Sequence, residues 1–324
     1  KVKEETRRKV VQAASVINYR IPGTPSIMPA DLMSNNLRSL RIQILIGQGS
    51  NDTVQDTPYY GRIIWAAEQE CQKLGHSFSM FIMRGQITPE ELLRRCKEVD
   101  GNVVLLTGES AYYLDLLKKL PNVAILNHPA PQEYFTSFSA DDFDSVRKVV
   151  ELLYELGHRR LRYMHINDST PPNLHLIRRH AAFIALTSHP DSGMQDSKAV
   201  VLEGRTKPLV EVCKDLLTEW MSEPTPPTAV VAASDNYALA FIQAARDLHI
   251  KVPEQLSIAG IDDRDFATTL SPSLTTIRQP LEDVGACAIR WLHATLNGYP
   301  SLPCQHLFGV TLKVRESTAP AHRG

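Results

Sequence analysis

Short apolar runs and amphipathic stretches alternate along most of the chain, most clearly between residues 229 and 263. Residues 229–233 (AVVAA) form an apolar run, as expected of a strand that is buried on both faces of a parallel sheet. Apolar side chains then recur at spacings of three and four between residues 238 and 248, which predicts a helix with one buried face. After Pro253, residues 256–261 (LSIAGI) form a second apolar run, which we interpret as a second buried strand.

A strand, a helix and a second strand in this order predict a right-handed crossover with parallel strands. Ser234 and Asp235 follow the first of these strands, and Asp262 and Asp263 follow the second. Open α/β sheets bind ligands in the crevice outside the carboxyl ends of their strands. We therefore expect these four polar residues to meet at one ligand-binding crevice.

The same alternation covers most of the remaining chain and predicts an α/β protein with parallel sheets. A helix is expected to begin at Thr57, because Pro58 suits the first helical position. The other predicted strands are residues 42–46, 77–83, 103–106, 123–126, 161–166 and 305–315. The other predicted helices are residues 88–98, 110–119, 144–156 and 281–297.

Composition places the chain among globular proteins. Its 324 residues are 43% apolar and 22% charged, and the length suffices for two α/β domains. No apolar run approaches the roughly 20 residues of a membrane helix, and no signal peptide is visible, so we expect a cytoplasmic protein. The five cysteines are scattered without a Cys-x-x-Cys pair, so we predict reduced thiols and no metal site.

Positive charge is concentrated at the start of the chain. Residues 1–41 hold eight Lys and Arg but three Asp and Glu, whereas the whole chain carries a net charge of −1. Residues 3–19 have a thin apolar stripe that predicts an amphipathic helix, and the prolines and glycine of residues 21–34 predict a linker. A basic arm on an acidic body favours contact with a polyanion.

Long segments of the chain resemble the LacI/GalR family of bacterial transcription regulators. The segment VPEQLSIAGIDD ends at Asp263, LTTIRQP ends at Pro280, and residues 138–161 also follow the family pattern. This resemblance implies a two-lobed, periplasmic-binding-protein-like (type I) α/β fold. Each lobe would be a parallel sheet flanked by helices, and three crossovers would join the lobes. The implied first lobe comprises residues 42–140 and 281–300, and the second comprises residues 141–280 and 301–324.

The N-terminal segment resembles the family's DNA-binding region. Residues 1–22 resemble the last helix of the helix-turn-helix headpiece, whose first two helices would precede Lys1, and residues 23–41 would form the linker and hinge helix. The resemblance implies DNA or hinge roles for two arginines and three leucines. Two hinge registers remain open: one uses the LRSLR stretch, and the other, which restores the family's spacing to the first strand, uses Leu32. The residues concerned are Arg7, Arg20, Leu32, Leu37 and Leu40.

The resemblance also implies an effector site in the cleft between the lobes. Arg179 takes the place of the family's ligand-gripping arginine, and a guanidinium offers a fork of donors to neighbouring oxygens. Asn127 stands where many members have an aspartate, so its contact would lose the charge. The predicted effector-binding residues are Tyr59, Tyr60, Asn127, Arg179, Ser234 and Asp262. These polar and aromatic groups suit a sugar or another polyhydroxyl effector.

The favoured function is a ligand-responsive transcriptional repressor that acts as a homodimer on double-stranded operator DNA. The alternative is a periplasmic sugar-binding protein of a transport system, which has the same two-lobed fold. An enzyme is disfavoured, because the Gly-x-Ser-x-Gly, Gly-x-Gly-x-x-Gly and paired-His motifs are absent and no catalytic spacing or cofactor motif occurs. His158 follows Gly157 at a predicted helix end, so we interpret it as structural.

Overall fold

A computed structural model of the chain describes residues 38–47, 57–83, 87–105, 112–120, 122–128, 133–167, 173–299 and 302–321. The helices and strands of this part form two lobes, each built around a parallel sheet. The strands are β1 (Arg41–Gly47), β2 (Ser77–Met83), β3 (Gly101–Leu105), β4 (Val123–Leu126), β5 (Thr136–Ala140), β6 (Leu161–Asn167), β7 (Lys198–Glu203), β8 (Ala229–Ala232), β9 (Ser257–Ala259), β10 (Thr276–Arg278), β11 (Gln305–Phe308) and β12 (Thr311–Lys313). The helices are α1 (Thr57–Lys73), α2 (Pro89–Lys97), α3 (Tyr112–Leu117), α4 (Asp142–Glu155), α5 (Leu174–Thr187), α6 (Leu209–Met221), α7 (Asp235–Asp247) and α8 (Leu281–Leu296).

The first lobe contains a six-stranded sheet in the order β11-β5-β4-β3-β1-β2, and all of its strand pairs are parallel. Strands β3 and β4 are buried along their whole length, in agreement with the apolar runs at residues 103–105 and 123–126. Helices α1 and α8 pack against each other on one face. Gly285 of α8 permits their close approach, because a Cβ atom there would lie 2.3 Å from the carbonyl oxygen of Ile63.

The second lobe contains a four-stranded parallel sheet in the order β7-β6-β8-β9. The antiparallel pair β10–β12 lies beside it, connected by bridges from Ala259 to Thr275 and from Asp262 to Arg278. His158 is buried here. Its ring nitrogens lie 2.9 Å from the Thr228 hydroxyl and 2.9 Å from the Ala319 carbonyl oxygen, which ties the end of α4 to the rest of the lobe. This contact agrees with a structural role for His158.

The chain passes between the lobes three times: from β5 to α4, from β10 to α8 and from β11 to β12. The third passage corrects the predicted boundary at residue 301. Strand β11 pairs with β5 in the first lobe, whereas β12 pairs with β10 in the second. The predicted single strand 305–315 is therefore two strands, separated at Gly309 where the chain changes lobe. Strand β7 and helix α6, for which no prediction was made, complete the second lobe.

Leu40 is placed differently from its predicted hinge role. It is 3% exposed and belongs to the hydrophobic core of the first lobe, where its backbone N–H donates to Nδ1 of His76 at 3.3 Å. Its position directly before β1 explains this burial. The burial of Leu40 corrects the expectation that it contacts DNA. The other predicted DNA and hinge residues lie outside the described residues: Arg7, Arg20, Leu32 and Leu37.

In the described residues, no helix is long and apolar enough to cross a membrane.

Candidate ligand-binding site

A cavity of about 270 Å³ lies between the two lobes, at the carboxyl ends of the strands of both sheets. The position agrees with the crevice predicted from the strand order. All six residues predicted to bind an effector line this cavity: Tyr59, Tyr60, Asn127, Arg179, Ser234 and Asp262.

Arg179 makes several hydrogen bonds in the wall of the site. It projects from α5, is 5% exposed, and donates from Nε to Oδ1 of Asp142 at 2.9 Å. Its Nη1 donates to the Ala233 carbonyl oxygen at 2.7 Å and reaches Oδ1 of Asp262 at 3.5 Å. Burial opposes its charge, but the two carboxylates more than offset this effect and raise its pKa above the ordinary value. Arg179 is therefore a fixed cation in the wall of the cleft.

Asp262 lies opposite this cation, shortly after β9, the second strand of the crossover unit. Its φ of 131° is unusual for a residue with a side chain, and its N–H donates to the Ile277 carbonyl oxygen at 2.8 Å. The Oδ1 atom accepts from Nε2 of Gln279 at 2.9 Å, and Oδ2 lies 3.7 Å from Nε of Arg264. Burial raises the pKa of Asp262, while Arg179 and Arg264 partly counter the rise.

Asp235 supports the site from behind. It is fully buried, and its carboxylate accepts from the Thr276 hydroxyl at 2.5 Å and from the Arg264 N–H at 2.8 Å. Burial and the neighbouring Asp262 raise the pKa of Asp235 to about 7. A Cβ atom at position 260 would lie 2.3 Å from Oδ1 of Asp235, so a glycine is required there. Asp235 thus fixes the backbone that carries Arg264.

Two tyrosines of α1 cover the site from the first lobe. The rings of Tyr59 and Tyr60 meet edge to face with centroids 5.3 Å apart. The guanidinium of Arg264, which belongs to the second lobe, lies 5.0 Å from the centroid of the Tyr59 ring. Burial raises the pKa of Tyr59 well above its ordinary value, so its hydroxyl is neutral. The cleft therefore combines aromatic faces on one side with charged groups on the other.

Asn127 participates through its backbone. It follows β4 with a φ of 48°, and its carbonyl oxygen lies 2.7 Å from Nε2 of His175. The other ring nitrogen, Nδ1, lies 2.7 Å from Oδ2 of Asp142. Burial would raise the pKa of Asp142, but His175 and Arg179 more than offset this and hold it below the ordinary value. Asn127 and Asp142 are thereby linked across the cleft through His175.

The sequence did not point to several residues of this site, among them Asp142, His175, Arg264 and Gln279. Asp142 and Gln279 lie inside the family-like segments, where attention to buried polar positions next to the strand ends could have found them. The position of His175 in the sequence did not indicate a role in this site, since its two partners, Asp142 and Asn127, are distant in the sequence. Among the described residues, no group of three or more metal-ligating side chains occurs.

Residues 150–318, more than half of the chain, match the family model of the periplasmic binding protein-like domain. The HTH-type transcriptional repressor PurR of Pasteurella multocida is 27% identical over 305 residues, which cover 91% of this chain and 84% of the repressor. The HTH-type transcriptional regulator DegA of Bacillus subtilis is 26% identical over 330 residues, which cover 99% of this chain and 91% of the regulator.

Solved structures show the same fold. The transcriptional regulator CelR in complex with cellobiose aligns with a TM-score of 0.71 at 23% identity, covering 98% of this chain and 92% of that one. A LacI-family regulator from Enterococcus faecium with bound ribose aligns with a TM-score of 0.65 at 21% identity, covering 87% of this chain and all of that one (100%).

Fold and cleft define a protein with a periplasmic-binding-protein-like (type I) domain. The chain belongs to the LacI/GalR family of transcriptional regulators. Its relatives named above are regulators of transcription and not enzymes, in agreement with the absence of catalytic motifs from the sequence.

Proposed function

We propose that this protein is a transcriptional repressor whose affinity for operator DNA changes when a sugar or similar polyhydroxyl effector binds in the cleft. The observation that carries the proposal is that Arg179 and Asp262 lie next to each other, 3.5 Å apart between Nη1 and Oδ1, in a cavity that Tyr59 and Tyr60 cover. A guanidinium donates and a carboxylate accepts, so together they can hold neighbouring hydroxyl groups. An aromatic ring covers the less polar face of a sugar.

The structures with cellobiose and ribose support a sugar as the class of effector, since both relatives share the two-lobed fold. The polar groups of this cleft come from both lobes, so an effector that bonds to both favours the closed arrangement. Such a ligand shifts the population of conformations only by its difference in affinity for the open and closed forms.

The signal passes to DNA through a homodimer in this proposal. Closure changes the relative position of the two first lobes, and the segment before Leu40 connects each first lobe to the DNA-binding region. A two-fold dimer matches a palindromic operator, and DNA binding implies a cytoplasmic location. Analytical ultracentrifugation tests the assembly: a dimer is expected, and a monomer at every concentration contradicts it.

A thermal-shift screen tests the effector class. The protein is heated with a panel of neutral mono- and disaccharides that includes ribose and cellobiose, at concentrations from micromolar to 10 mM. A sugar that binds the folded state raises the melting temperature with the logarithm of its concentration, by an amount that corresponds to about 2.7 kcal/mol at a hundred times Kd. The same sugar should have little effect on Asp262→Ala. If no sugar stabilises the wild-type protein, the proposed effector class is wrong.

A further inference from the structure

His175 has two hydrogen-bonding partners that can only accept. Its Nδ1 lies 2.7 Å from a carboxylate oxygen of Asp142, and its Nε2 lies 2.7 Å from the main-chain carbonyl oxygen of Asn127. A neutral imidazole carries one N–H and so can donate to one of them, whereas an imidazolium donates to both. Arg179 also donates to the Asp142 carboxylate, which favours keeping the proton on the imidazole. The observed geometry is therefore that of a charged His175.

The two partners of His175 belong to different lobes. Asn127 follows β4 of the first lobe, while Asp142 begins α4 and His175 lies on α5, both in the second lobe. The side chain of His175 consequently bridges the cleft next to the cavity that it lines. When the lobes separate, the bond to the Asn127 carbonyl must break, and one N–H of the imidazolium loses its protein acceptor.

We propose that protonated His175 is a latch between the lobes, so that closure of the cleft takes up a proton at neutral pH. The consequence for regulation rests on the proposed function, because closure is the movement that would signal to DNA. The proton linkage itself requires no effector and can be tested without one. It also predicts that acidification favours the closed form.

The charged and titratable groups around His175 determine the direction of this effect. Burial lowers the pKa of His175, but Asp142 more than offsets it, and the net result is a pKa above the ordinary 6.5. Arg179 from the same helix opposes the imidazolium, and the buried Asp262 favours it. His128 from the first lobe stays neutral, because burial and the charge of His175 lower its pKa to about 4.

Two features of α5 complete this environment. His175 lies in the first turn of α5, where the positive end of the helix disfavours a cation. Asn173 caps the helix and accepts the N–H of His175 at 3.0 Å. Asp142 is therefore the anion on which the charge of His175 depends. Asp142 belongs to the same lobe as His175, so the two forms differ in the bond from His175 to the Asn127 carbonyl. The pKa of His175 in the closed form lies above the ordinary 6.5, so the imidazolium that makes this bond is complete below pH 6.5 and is lost as the pH rises through the raised pKa.

Nuclear magnetic resonance of ¹⁵N-histidine-labelled full-length protein tests the charge directly. At pH 7, one histidine should show both ring nitrogens protonated, with shifts typical of an imidazolium. That signal should be absent from His175→Gln and unchanged in His189→Gln, a control on an exposed histidine beyond the same helix. A neutral tautomer for His175 at pH 7 would overturn the proposal. Circular dichroism verifies that both variants are folded.

Small-angle X-ray scattering without effector tests the linkage to closure. The wild-type radius of gyration should increase between pH 6 and pH 9, because His175 loses its proton over this range and the open form becomes more populated. Each unit by which closure raises the pKa of His175 changes the ratio of open to closed forms by up to about tenfold. His175→Gln should have the larger radius throughout and lose the pH dependence, whereas His189→Gln should behave as wild type. A wild-type radius that does not vary with pH overturns the latch and leaves the sugar proposal intact. Conversely, failure of the sugar screen leaves this result unaffected.

Discussion

Arg179 and Asp142 are joined by a hydrogen bond from Nε to Oδ1 at 2.9 Å inside the second lobe. The same carboxylate binds His175, so Asp142 balances two buried cationic groups. Its removal would leave both without their counter-charge, and breaking a buried ion pair in this way costs about 3–5 kcal/mol. We expect Asp142→Ala to lower the free energy of unfolding by this amount in urea titrations at pH 7.

Asp144 provides the matched control for this prediction. It lies on the same helix and pairs with Arg147 and Lys148, but these partners are partly exposed. Such pairs contribute roughly 0–1 kcal/mol. Asp144→Ala should therefore cost much less than Asp142→Ala. Equal effects of the two variants would show that Asp142 does not hold a buried charge network.

Alanine substitutions at Gly285 and Gly61 should have opposite effects on stability in the helix pair α1 and α8. A Cβ atom at Gly285 would meet the Ile63 carbonyl oxygen at 2.3 Å, whereas a Cβ atom at Gly61 meets nothing within 4 Å. Gly285→Ala should force the helices apart and cost about 1–3 kcal/mol. Gly61→Ala should stabilise the protein by up to about 1 kcal/mol through helix propensity. Calorimetric melting temperatures should move in opposite directions, and a shared direction contradicts the close helix contact.

The raised pKa of Asp235 makes the stability of the folded protein depend on pH. Burial and Asp262 raise its pKa to about 7 from the ordinary 3.8, so the folded protein retains a proton that the unfolded chain releases. The stabilisation from this group is full below pH 3.8 and is lost as the pH rises to about 7. Asp235→Asn imitates the neutral acid and keeps acceptor capacity. The free energy of unfolding of Asp235→Asn minus that of wild type should rise between pH 4 and pH 8, by on the order of 1–4 kcal/mol.

Comparison with wild type is needed because other carboxyl groups titrate in the opposite sense: the pKa of Asp142 is lowered in the folded state, so its contribution is lost as the pH falls. Asp265→Asn, at an exposed position nearby, serves as the control and should show a constant difference from wild type. If the difference for Asp235→Asn is equally constant, Asp235 is charged throughout this range and its assigned pKa is wrong.

The sequence predicted the fold well where one strand follows another through a helix. Residues 229–233 and 256–261 became β8 and β9, and Ser234 and Asp262 lie beside the cavity, because parallel strands bring their carboxyl ends to one edge. The prediction of a single strand over residues 305–315 was wrong for a simple physical reason. An apolar run indicates a buried strand but does not show which sheet the strand joins, and β11 and β12 are separated by two residues but belong to different lobes.

The contacts between the lobes could not be predicted in this way. Arg264 lies near Tyr59, and His175 lies near Asn127, although each pair is far apart in the sequence. Periodicity assigns a residue to a buried face, but it contains no information on how two lobes are oriented. The role of Asn127 shows the same limit, since the group that bonds to His175 is its backbone carbonyl and not its side chain.

The effector site is the central claim, and titration calorimetry tests it most directly. The sugar that gives the largest thermal shift is titrated into the wild-type protein, Arg179→Ala and Asp262→Ala, with Asp265→Asn as the control. Removing one partner of a buried charged pair costs on the order of 2–5 kcal/mol, so each of the first two variants should weaken binding by at least about tenfold. Circular dichroism must show an intact fold in every variant, and the control should bind like wild type. Unchanged affinity in both Arg179→Ala and Asp262→Ala would contradict the assignment of the effector site to this cleft.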